Sequence, residues 1–282
     1  MNRLQKMVTL LIVGIVLGLC AHPASAKEQT LRIGMNNWAE NVAVSNMWKL
    51  LLEERGYDVE LMDVGNAVMY GGVASGDLDI GMEVWLPTAD KPMVERFGDQ
   101  FDIQEPWYKN TRLGLVVPAY VDIDSIEDLK TQAEAINNEI FGIDSGSSLN
   151  ALTRDAIKEY DLDVEFTESS EPAMLGRLDQ SYQAQEPVVV TLWNPHWSFA
   201  EYDLKYLEDP ANVYGEGDDI FFITREGFAE DFGPVLEWMN TWFMTDAQLS
   251  SLMKTIKDTG DPVKGASMWI EDNQKLVDSW FQ

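Results

Sequence analysis

The sequence predicts an α/β protein built as two lobes. Segments with strand-like and helix-like patterns alternate along the chain, which is typical of a mostly parallel sheet flanked by helices. The chain has no internal repeat, no low-complexity stretch and no long linker, so two lobes joined by crossing strands fit better than two independent domains. With 282 residues, 45% of them hydrophobic, the chain is long enough to bury a sizeable core.

The first part of the chain alternates strands with helices. Segment 39–55 carries Ala43, Met47 and Leu50 at helical spacing, and Gly56 marks its end. We expect strands at 31–35, 58–64, 78–85, 112–118 and 139–144, with helices over 39–55, 67–74 and 126–136.

A second structural unit is predicted to begin near the turn Ser145-Gly146-Ser147-Ser148. The alternation of short apolar runs and amphipathic segments continues beyond this turn. We expect helices over 149–160 and 171–182, strands at 164–167, 188–193 and 221–224, and a mainly helical tail over 230–282.

The N-terminus has the three regions of a secretory signal peptide. Arg3 and Lys6 precede an apolar run over 7–19, and Ala24-Ser25-Ala26 supplies the small residues of a cleavage site. We therefore predict an exported protein whose signal peptide, 1–26, is cleaved after Ala26.

Two alternatives to cleavage after Ala26 have less support. The apolar run has 13 residues, which is short of the roughly 20 needed to span a bilayer, so a permanent membrane helix is disfavoured. A lipid anchor at Cys20 is disfavoured because Leu19 occupies the position where lipoprotein processing needs a small residue.

The chain is strongly acidic. It has 20 Lys and Arg against 48 Asp and Glu, and removal of 1–26, which holds two basic and no acidic side chains, leaves 18 against 48 and a net charge of −30. Such a charge disfavours nucleic acid and anionic lipid surfaces as partners. It is typical of a solvated surface suited to a salty exterior, and it also attracts cations.

Few side chains are available for catalysis or metal binding. After removal of 1–26 the sequence has no cysteine and a single histidine, His196, which removes most of the usual zinc ligands and nucleophile–base pairs. The sequence also offers no nucleotide or flavin loop. We predict no catalytic residue, no metal and no cofactor, which argues against an enzyme of methylated amines.

Three of the ten tryptophans end or follow predicted strands. They are Trp38, Trp85 and Trp193, and the crevice outside the carboxyl ends of strands is the usual ligand site of an open α/β sheet. Any one of them could be a packing residue, but three at equivalent strand ends favour a shared site. Trp48, Trp238, Trp242 and Trp280 lie in helical patterns and are expected to pack in the core, whereas Trp107, Trp197 and Trp269 are left unassigned.

A site built from tryptophan faces suits a particular class of ligand. The quadrupole of each indole ring attracts a cation. A trimethylammonium group has no hydrogen-bond donor and spreads its charge over methyl surface, so an aromatic cage is its natural receptor. The predicted ligand is therefore a small methylated ammonium compound.

Several motifs resemble those of the glycine betaine, proline betaine and choline binding proteins of ABC importers. The resemblance covers nearly the whole chain after the signal peptide. The motifs are Trp38-Ala39-Glu40-Asn41, Gly76-Asp77-Leu78-Asp79, Trp85-Leu86-Pro87-Thr88, Gly142-Ile143-Asp144-Ser145-Gly146-Ser147, Leu192-Trp193-Asn194-Pro195-His196-Trp197 and Leu204-Lys205-Tyr206-Leu207.

The resemblance implies a type II periplasmic-binding-protein fold, in which two lobes close on the ligand. It places 27–115 plus 215–282 in one lobe and 116–214 in the other, and it matches Trp38, Trp85 and Trp193 to the cage positions.

The resemblance also suggests what surrounds the cage. In betaine binders the ligand carboxylate meets backbone amides at a turn matched here by Ser148 and Leu149, and a turn of Gly and Ser that opens a helix favours an anion. The same turn could simply cap the helix, and both roles can coexist. Glu40 matches an acidic position of choline binders, where it would favour a cation without its own carboxylate.

Two further positions are weaker candidates for ligand contacts. Asp90 stands where some betaine binders carry a histidine, and an aspartate there would repel a carboxylate. Both Asp90 and Glu40 could instead be solvated or cap helices. His196 lies next to a cage tryptophan in the sequence but is expected to be structural.

The sequence thus favours a free-standing periplasmic receptor over an enzyme or a sensor domain, because it carries neither a cofactor motif nor a signalling segment. The expected partners are a small quaternary ammonium ligand and the membrane permease of an ABC importer, with the receptor itself a monomer. Glycine betaine is the leading ligand. Choline, carnitine, trimethylamine oxide and sulfonium analogues are the alternatives.

Overall fold

The computed structural model describes residues 30–282, so the predicted signal peptide and its cleavage site lie outside the described part. Its strands are β1 (Leu31–Met35), β2 (Val59–Asp63), β3 (Ile80–Leu86), β4 (Phe101–Tyr108), β5 (Arg112–Pro118), β6 (Glu139–Gly142), β7 (Glu165–Glu168), β8 (Val189–Asn194), β9 (Leu204–Tyr206) and β10 (Asp219–Arg225). Its helices are α1 (Ala39–Glu54), α2 (Asn66–Ser75), α3 (Lys91–Phe97), α4 (Leu129–Gln132), α5 (Ser148–Glu159), α6 (Glu171–Ala184), α7 (Ser198–Glu201), α8 (Phe228–Thr241), α9 (Asp246–Thr259), α10 (Pro262–Asp272) and α11 (Gln274–Ser279).

The strands form two sheets of five with the same plan. The first sheet has the order β2-β1-β3-β10-β4 and the second the order β7-β6-β8-β5-β9. In each sheet three neighbouring strands are parallel, and a further strand, β10 or β5, joins them antiparallel. The α/β class is confirmed, with each sheet mixed rather than purely parallel.

We call the first sheet with α1–α3 and α8–α11 the first lobe, and the second sheet with α4–α7 the second lobe. The chain passes between the sheets twice, after β4 and before β10. The predicted division into 27–115 plus 215–282 and 116–214 stays a prediction.

Local sequence explains where the principal helices begin. Ser147 caps α5 by accepting a hydrogen bond from the Asn150 backbone N–H at 3.2 Å, and Ser170 caps α6 in the same way. Thr245 and Gln248 form a reciprocal capping box at the start of α9. Helix α1 differs, because its N-cap residue, Trp38, makes no capping side-chain hydrogen bond.

The expected helix over 126–136 is wrong as a single element. The segment forms a 3₁₀ turn, the short helix α4 and a second 3₁₀ turn, because the backbone leaves the helical region at Gln132, with φ −119° and ψ 16°. Strand β4 was not expected. It contains Pro106, which argues against a strand in the interior of a sheet, but β4 lies at the edge, where a missing N–H donor is tolerated.

The core of the protein is apolar and runs through both lobes. Leu31, Ile33, Met47 and Trp48 of the first lobe are fully buried, as are the strands β5 and β8 over most of their length. Among residues 30–282, no helix combines the length and the apolar character that a membrane crossing requires.

Candidate binding site

A cavity lies between the lobes at the strand ends. Both lobes contribute to its wall, which places it in the crevice that α/β proteins commonly use for ligands. Its lining residues are Trp38, Glu40, Trp85, Ala89, Asp90, Leu113, Ile143, Ser147, Ser148, Leu149 and Trp193.

Trp38 reaches the cavity from the junction between β1 and α1. Its indole N–H donates to a carboxylate oxygen of Asp144 at 2.8 Å, across the gap between the lobes. Asp144 follows β6 at the corresponding edge of the second sheet. The bond fixes the rotation of the indole, and only 8% of the residue remains exposed.

Trp85 lies near the end of β3 and is held by two acidic side chains. Its indole N–H donates to Glu83, two residues earlier on the same face of the strand, at 2.5 Å. Its backbone N–H donates to Asp90 at 2.8 Å. Glu83 and Asp90 therefore fix both the ring and the backbone of this tryptophan.

Trp193 lies near the end of β8 in the second lobe. Its indole N–H donates to Glu40 of the first lobe at 2.8 Å. The imidazole of His196 meets the edge of this indole, with ring centroids 4.9 Å apart and planes at 79°. Each of the three tryptophans thus has its N–H bound to a carboxylate.

Asp90 is occupied by protein donors on both oxygens. One oxygen accepts from the Trp85 backbone, and the other accepts from Asn66 at 3.2 Å and from the Ser148 hydroxyl. Because Ser148 belongs to the second lobe, the contact also joins the lobes. Asp90 therefore holds Trp85, Asn66 and Ser148 in position around the cavity.

Burial changes the acidity of the carboxyl groups around the cavity. Burial, and secondarily the charge of Glu171, raise the pKa of Glu40 to about 8. Burial and the proximity of Glu40 raise the pKa of Glu83 well above its usual range, and burial raises that of Asp90. A positive charge placed in the cavity would reverse these shifts, because it favours the ionised form of each group.

The opposite side of the cavity is the start of helix α5. The N–H groups of the first helical turn have no intrahelical acceptor, and the helix dipole adds positive potential there. Ser147, Ser148 and Leu149 all line the cavity at this point. The site therefore combines acidic and aromatic groups on one side with backbone donors on another.

The structure brings Trp38, Glu40, Trp85, Ser148, Leu149, Trp193 and the weaker candidate Asp90 around one cavity. His196 is buried behind the wall, where it contacts Ser198 and Glu171. Over the described part of the chain, no group of three or more His, Cys, Asp or Glu side chains is placed to hold a metal ion.

The sequence reasoning missed three acidic residues around the cavity. Glu83 could have been found, because the period-2 pattern of a strand puts it on the same face as Trp85. Asp144 and Glu171 act from the other lobe, 106 and 132 residues from their partners in the sequence. No local pattern predicts such contacts.

Two mixed sheets that enclose a cavity at their strand ends define the class of the protein as a two-lobed solute-binding protein of the type II periplasmic fold. The family described as the substrate binding domain of the ABC-type glycine betaine transport system matches residues 29–272. The chain belongs to this family, as the sequence motifs predicted.

Solved structures agree with this assignment. Lactococcal OpuAC, in its closed conformation with glycine betaine, is 33% identical, with a TM-score of 0.85 over 90% of this chain and 100% of that one. ProX from Borrelia burgdorferi, a glycine betaine/L-proline-binding protein, is 34% identical, with a TM-score of 0.86 over 89% and 96%. A choline binding protein in complex with choline has the same fold at 22% identity, a TM-score of 0.83 and coverage of 89% and 91%.

The glycine betaine/carnitine transport binding protein GbuC of Listeria monocytogenes is 38% identical over 154 residues. The match spans 54% of this chain and about half, 51%, of that protein. The family consists of solute-binding proteins rather than enzymes, and this chain is a member of that family of ABC-type glycine betaine transport.

Proposed function

We propose that this protein is exported, captures glycine betaine or a closely related quaternary ammonium solute between its lobes, and delivers it to the permease of an ABC importer. The observation that carries the proposal is the convergence of Trp38, Trp85 and Trp193 on one interlobe cavity. Because the indole N–H of each tryptophan is hydrogen-bonded to a carboxylate, the ring faces rather than the N–H edges are available to a cation.

The trimethylammonium group would sit among the three indoles. Each ring within about 6 Å contributes cation–π attraction, which reaches about 2 kcal/mol or more when the pair is shielded from water. The carboxylate of glycine betaine would point to the backbone N–H groups of Ser148 and Leu149 at the start of α5. Asp90 opposes such a carboxylate weakly, since its oxygens are occupied by protein donors.

Choline is the second candidate, and Glu40 is the observation that favours it. The carboxyl group lines the cavity and is fully buried beside Trp193. A cationic ligand without a carboxylate would pair with the ionised form of Glu40 and leave the amides of α5 to water.

A parallel titration separates the two ligands. The protein is unfolded and refolded to remove bound solute, and glycine betaine, choline and carnitine are titrated by calorimetry. We expect tight binding of glycine betaine and weaker binding of choline, with Glu40→Gln reducing choline affinity more than betaine affinity. Glu159→Gln, an exposed glutamate on the same lobe as the amides, serves as the control. Absence of binding by every quaternary ammonium compound would overturn the proposal.

Export is the second part of the proposal. The signal peptide at 1–26 supports it, with cleavage after Ala26 and a lipid anchor at Cys20 as the weaker alternative. N-terminal sequencing of the protein recovered from the periplasm should start at Lys27. Recovery of a chain that starts at Cys20 in the membrane fraction would favour the anchor, and an uncut cytoplasmic chain would contradict export.

The receptor is proposed to act as a monomer, with no nucleic acid partner. The net charge of −30 after removal of 1–26 supports the second point, because it repels phosphate backbones. Light scattering after gel filtration should give a mass near that of a single chain.

A further inference from the structure

A buried glutamate of the second lobe lies at the start of the first lobe's helix α1. One carboxylate oxygen of Glu171 accepts the backbone N–H of Ala39 at 2.9 Å. Ala39 is the first residue of α1, whose own N-cap residue makes no capping side-chain bond. Glu171 thus takes the place of a missing cap, and its charge suits the positive end of the helix dipole.

The second oxygen of Glu171 is held within its own lobe. It pairs with Nε2 of His196 at 3.1 Å. The Ser198 backbone N–H donates to Nδ1 of the same ring at 3.1 Å, so Nδ1 is the acceptor and Nε2 carries the hydrogen that it donates to Glu171. The side chains of His196 and Glu171 are 0% and 6% exposed, which gives the carboxylate a fixed position.

The contact lies directly beside the proposed cage. Ala39 stands between Trp38 and Glu40, and His196 packs on the edge of Trp193. The chain of contacts from His196 through Glu171 to Ala39 therefore joins the first and third cage tryptophans across the gap between the lobes.

We infer that Glu171 is a positioning residue that holds the two lobes in the closed arrangement by capping α1 from the opposite lobe. We call this contact between Glu171 and Ala39 the clasp. Opening of the lobes breaks the bond to Ala39 and leaves both the helix end and the buried carboxylate without their partner. The clasp therefore slows the release of a bound solute. The effect on release rests on the proposed function, whereas the effect on lobe closure does not.

The clasp also acts on Glu40 through charge. Glu171 and Glu83 are the titratable groups that face Glu40, and His196 and Glu40 are those that face Glu171. Removal of the Glu171 charge should lower the pKa of Glu40 from its value of about 8. A purely structural role for Glu171 would leave the pH dependence of binding unchanged.

The first test needs no ligand. Glu171→Ala and the milder Glu171→Gln are compared with the wild type and with Glu159→Gln by amide hydrogen exchange and by X-ray scattering. We expect Glu171→Ala to raise the exchange of the first turn of α1 at least tenfold and to increase the radius of gyration. Exchange and scattering equal to those of the wild type would overturn the clasp, whatever the ligand results are.

The second test measures release of glycine betaine by stopped-flow tryptophan fluorescence. We expect the dissociation rate to rise about tenfold in Glu171→Ala and less in Glu171→Gln, with the association rate changed less than twofold. A dissociation rate within twofold of the wild type would contradict the clasp. If no variant and no wild type binds a quaternary ammonium compound while the exchange result holds, the proposed function fails and the clasp stands.

Discussion

Tryptophan occurs in two different settings in this protein, the packed core and the wall of the interlobe cavity. The core tryptophans are Trp48, Trp107, Trp242 and Trp280, and they cover one another: Trp107 and Trp242 are stacked at 4.7 Å, and Trp48 meets Trp242 edge-on at 5.5 Å. The tryptophans of the proposed cage, which we call the cage tryptophans, are Trp38, Trp85 and Trp193, and they line the interlobe cavity.

The two groups also differ in the hydrogen-bond partners of their indole N–H groups. Within residues 30–282, the N–H groups of Trp48 and Trp242 have no hydrogen-bond partner, and that of Trp107 donates to the Met82 carbonyl at 2.9 Å. These three core rings are held by ring contacts rather than by a carboxylate. Each cage N–H is bound to a carboxylate. Orientation of the ring is controlled in the cage, whereas contact area dominates in the core.

The largest contrast is expected between alanine substitutions in the two groups. Trp193→Ala should weaken glycine betaine binding roughly 100-fold, because it removes a buried aromatic contact at the centre of the site. Trp242→Ala should instead lower the free energy of unfolding by about 3–5 kcal/mol through the cavity it leaves, with nearly normal affinity in the folded protein. Calorimetric titration measures the ligand affinity of both variants, and urea unfolding measures their free energy of unfolding. The reverse pattern would show that the two groups had been assigned the wrong way round.

The acidity of Glu40 gives the next prediction. Its pKa in the free protein is raised to about 8, and a bound cation favours the ionised form, so binding releases a proton below that pH. Choline affinity should therefore rise more than tenfold from pH 6 to pH 8 and level off above. The change of affinity with pH, and the proton release that causes it, are measured by titration with choline in buffers of different ionisation enthalpy. Glu40→Gln should show a flat profile, and a wild-type profile equally flat would rule out Glu40 as a cation partner.

Loss of the Glu83 carboxyl group, which accepts the indole N–H of Trp85, should have a smaller effect on ligand affinity. Glu83→Leu removes the acceptor of the indole N–H and frees the ring to rotate, which should cost about tenfold in affinity. Glu83→Gln keeps an acceptor and should bind nearly as well as the wild type. Since the Leu substitution also removes a buried carboxyl whose Oε1 has no hydrogen-bond partner in the described chain, it should not lower the melting temperature. Equal affinity of both variants would mean that packing alone orients Trp85.

The smallest effect is expected at an exposed contact between the lobes. Lys257 of α9 pairs with Glu201 of α7 and lies 4.2 Å from the ring centroid of Trp197. Because both charged side chains are at least one-third exposed, the pair should be worth no more than about 1 kcal/mol. Lys257→Met should change ligand affinity less than about fivefold. A loss of ligand affinity as large as that caused by replacing a cage tryptophan would mean that Lys257, rather than Glu171, holds the lobes closed.

The comparison also shows what the sequence could reveal. The cage tryptophans stood out because strand patterns at 31–35, 78–85 and 188–193 placed each of them at a carboxyl end, where parallel strands converge. The packing roles of Trp48, Trp242 and Trp280 followed from helical context in the same way. Trp107 could not be assigned, because its strand, β4, contains a proline and was not recognised.

The carboxylates that hold the cage were harder to predict. The sequence indicates Glu40 and Asp90 as ligand contacts, solvated groups or helix caps, whereas the structure gives them bonds to Trp193 and to the Trp85 backbone. Asp144 and Glu171 contact residues more than 100 positions away in the other lobe. Such contacts depend on how the lobes close, which no local pattern encodes.

The most direct test of the cage replaces the positive charge of the ligand and keeps its shape. The refolded protein is titrated with glycine betaine and with 3,3-dimethylbutanoate, in which a carbon atom replaces the quaternary nitrogen. Three tryptophan faces that attract a cation should bind glycine betaine at least about 30-fold more tightly, which corresponds to about 2 kcal/mol. Equal affinity for the two compounds would mean that the cavity recognises shape and carboxylate alone, and the cation cage would be wrong.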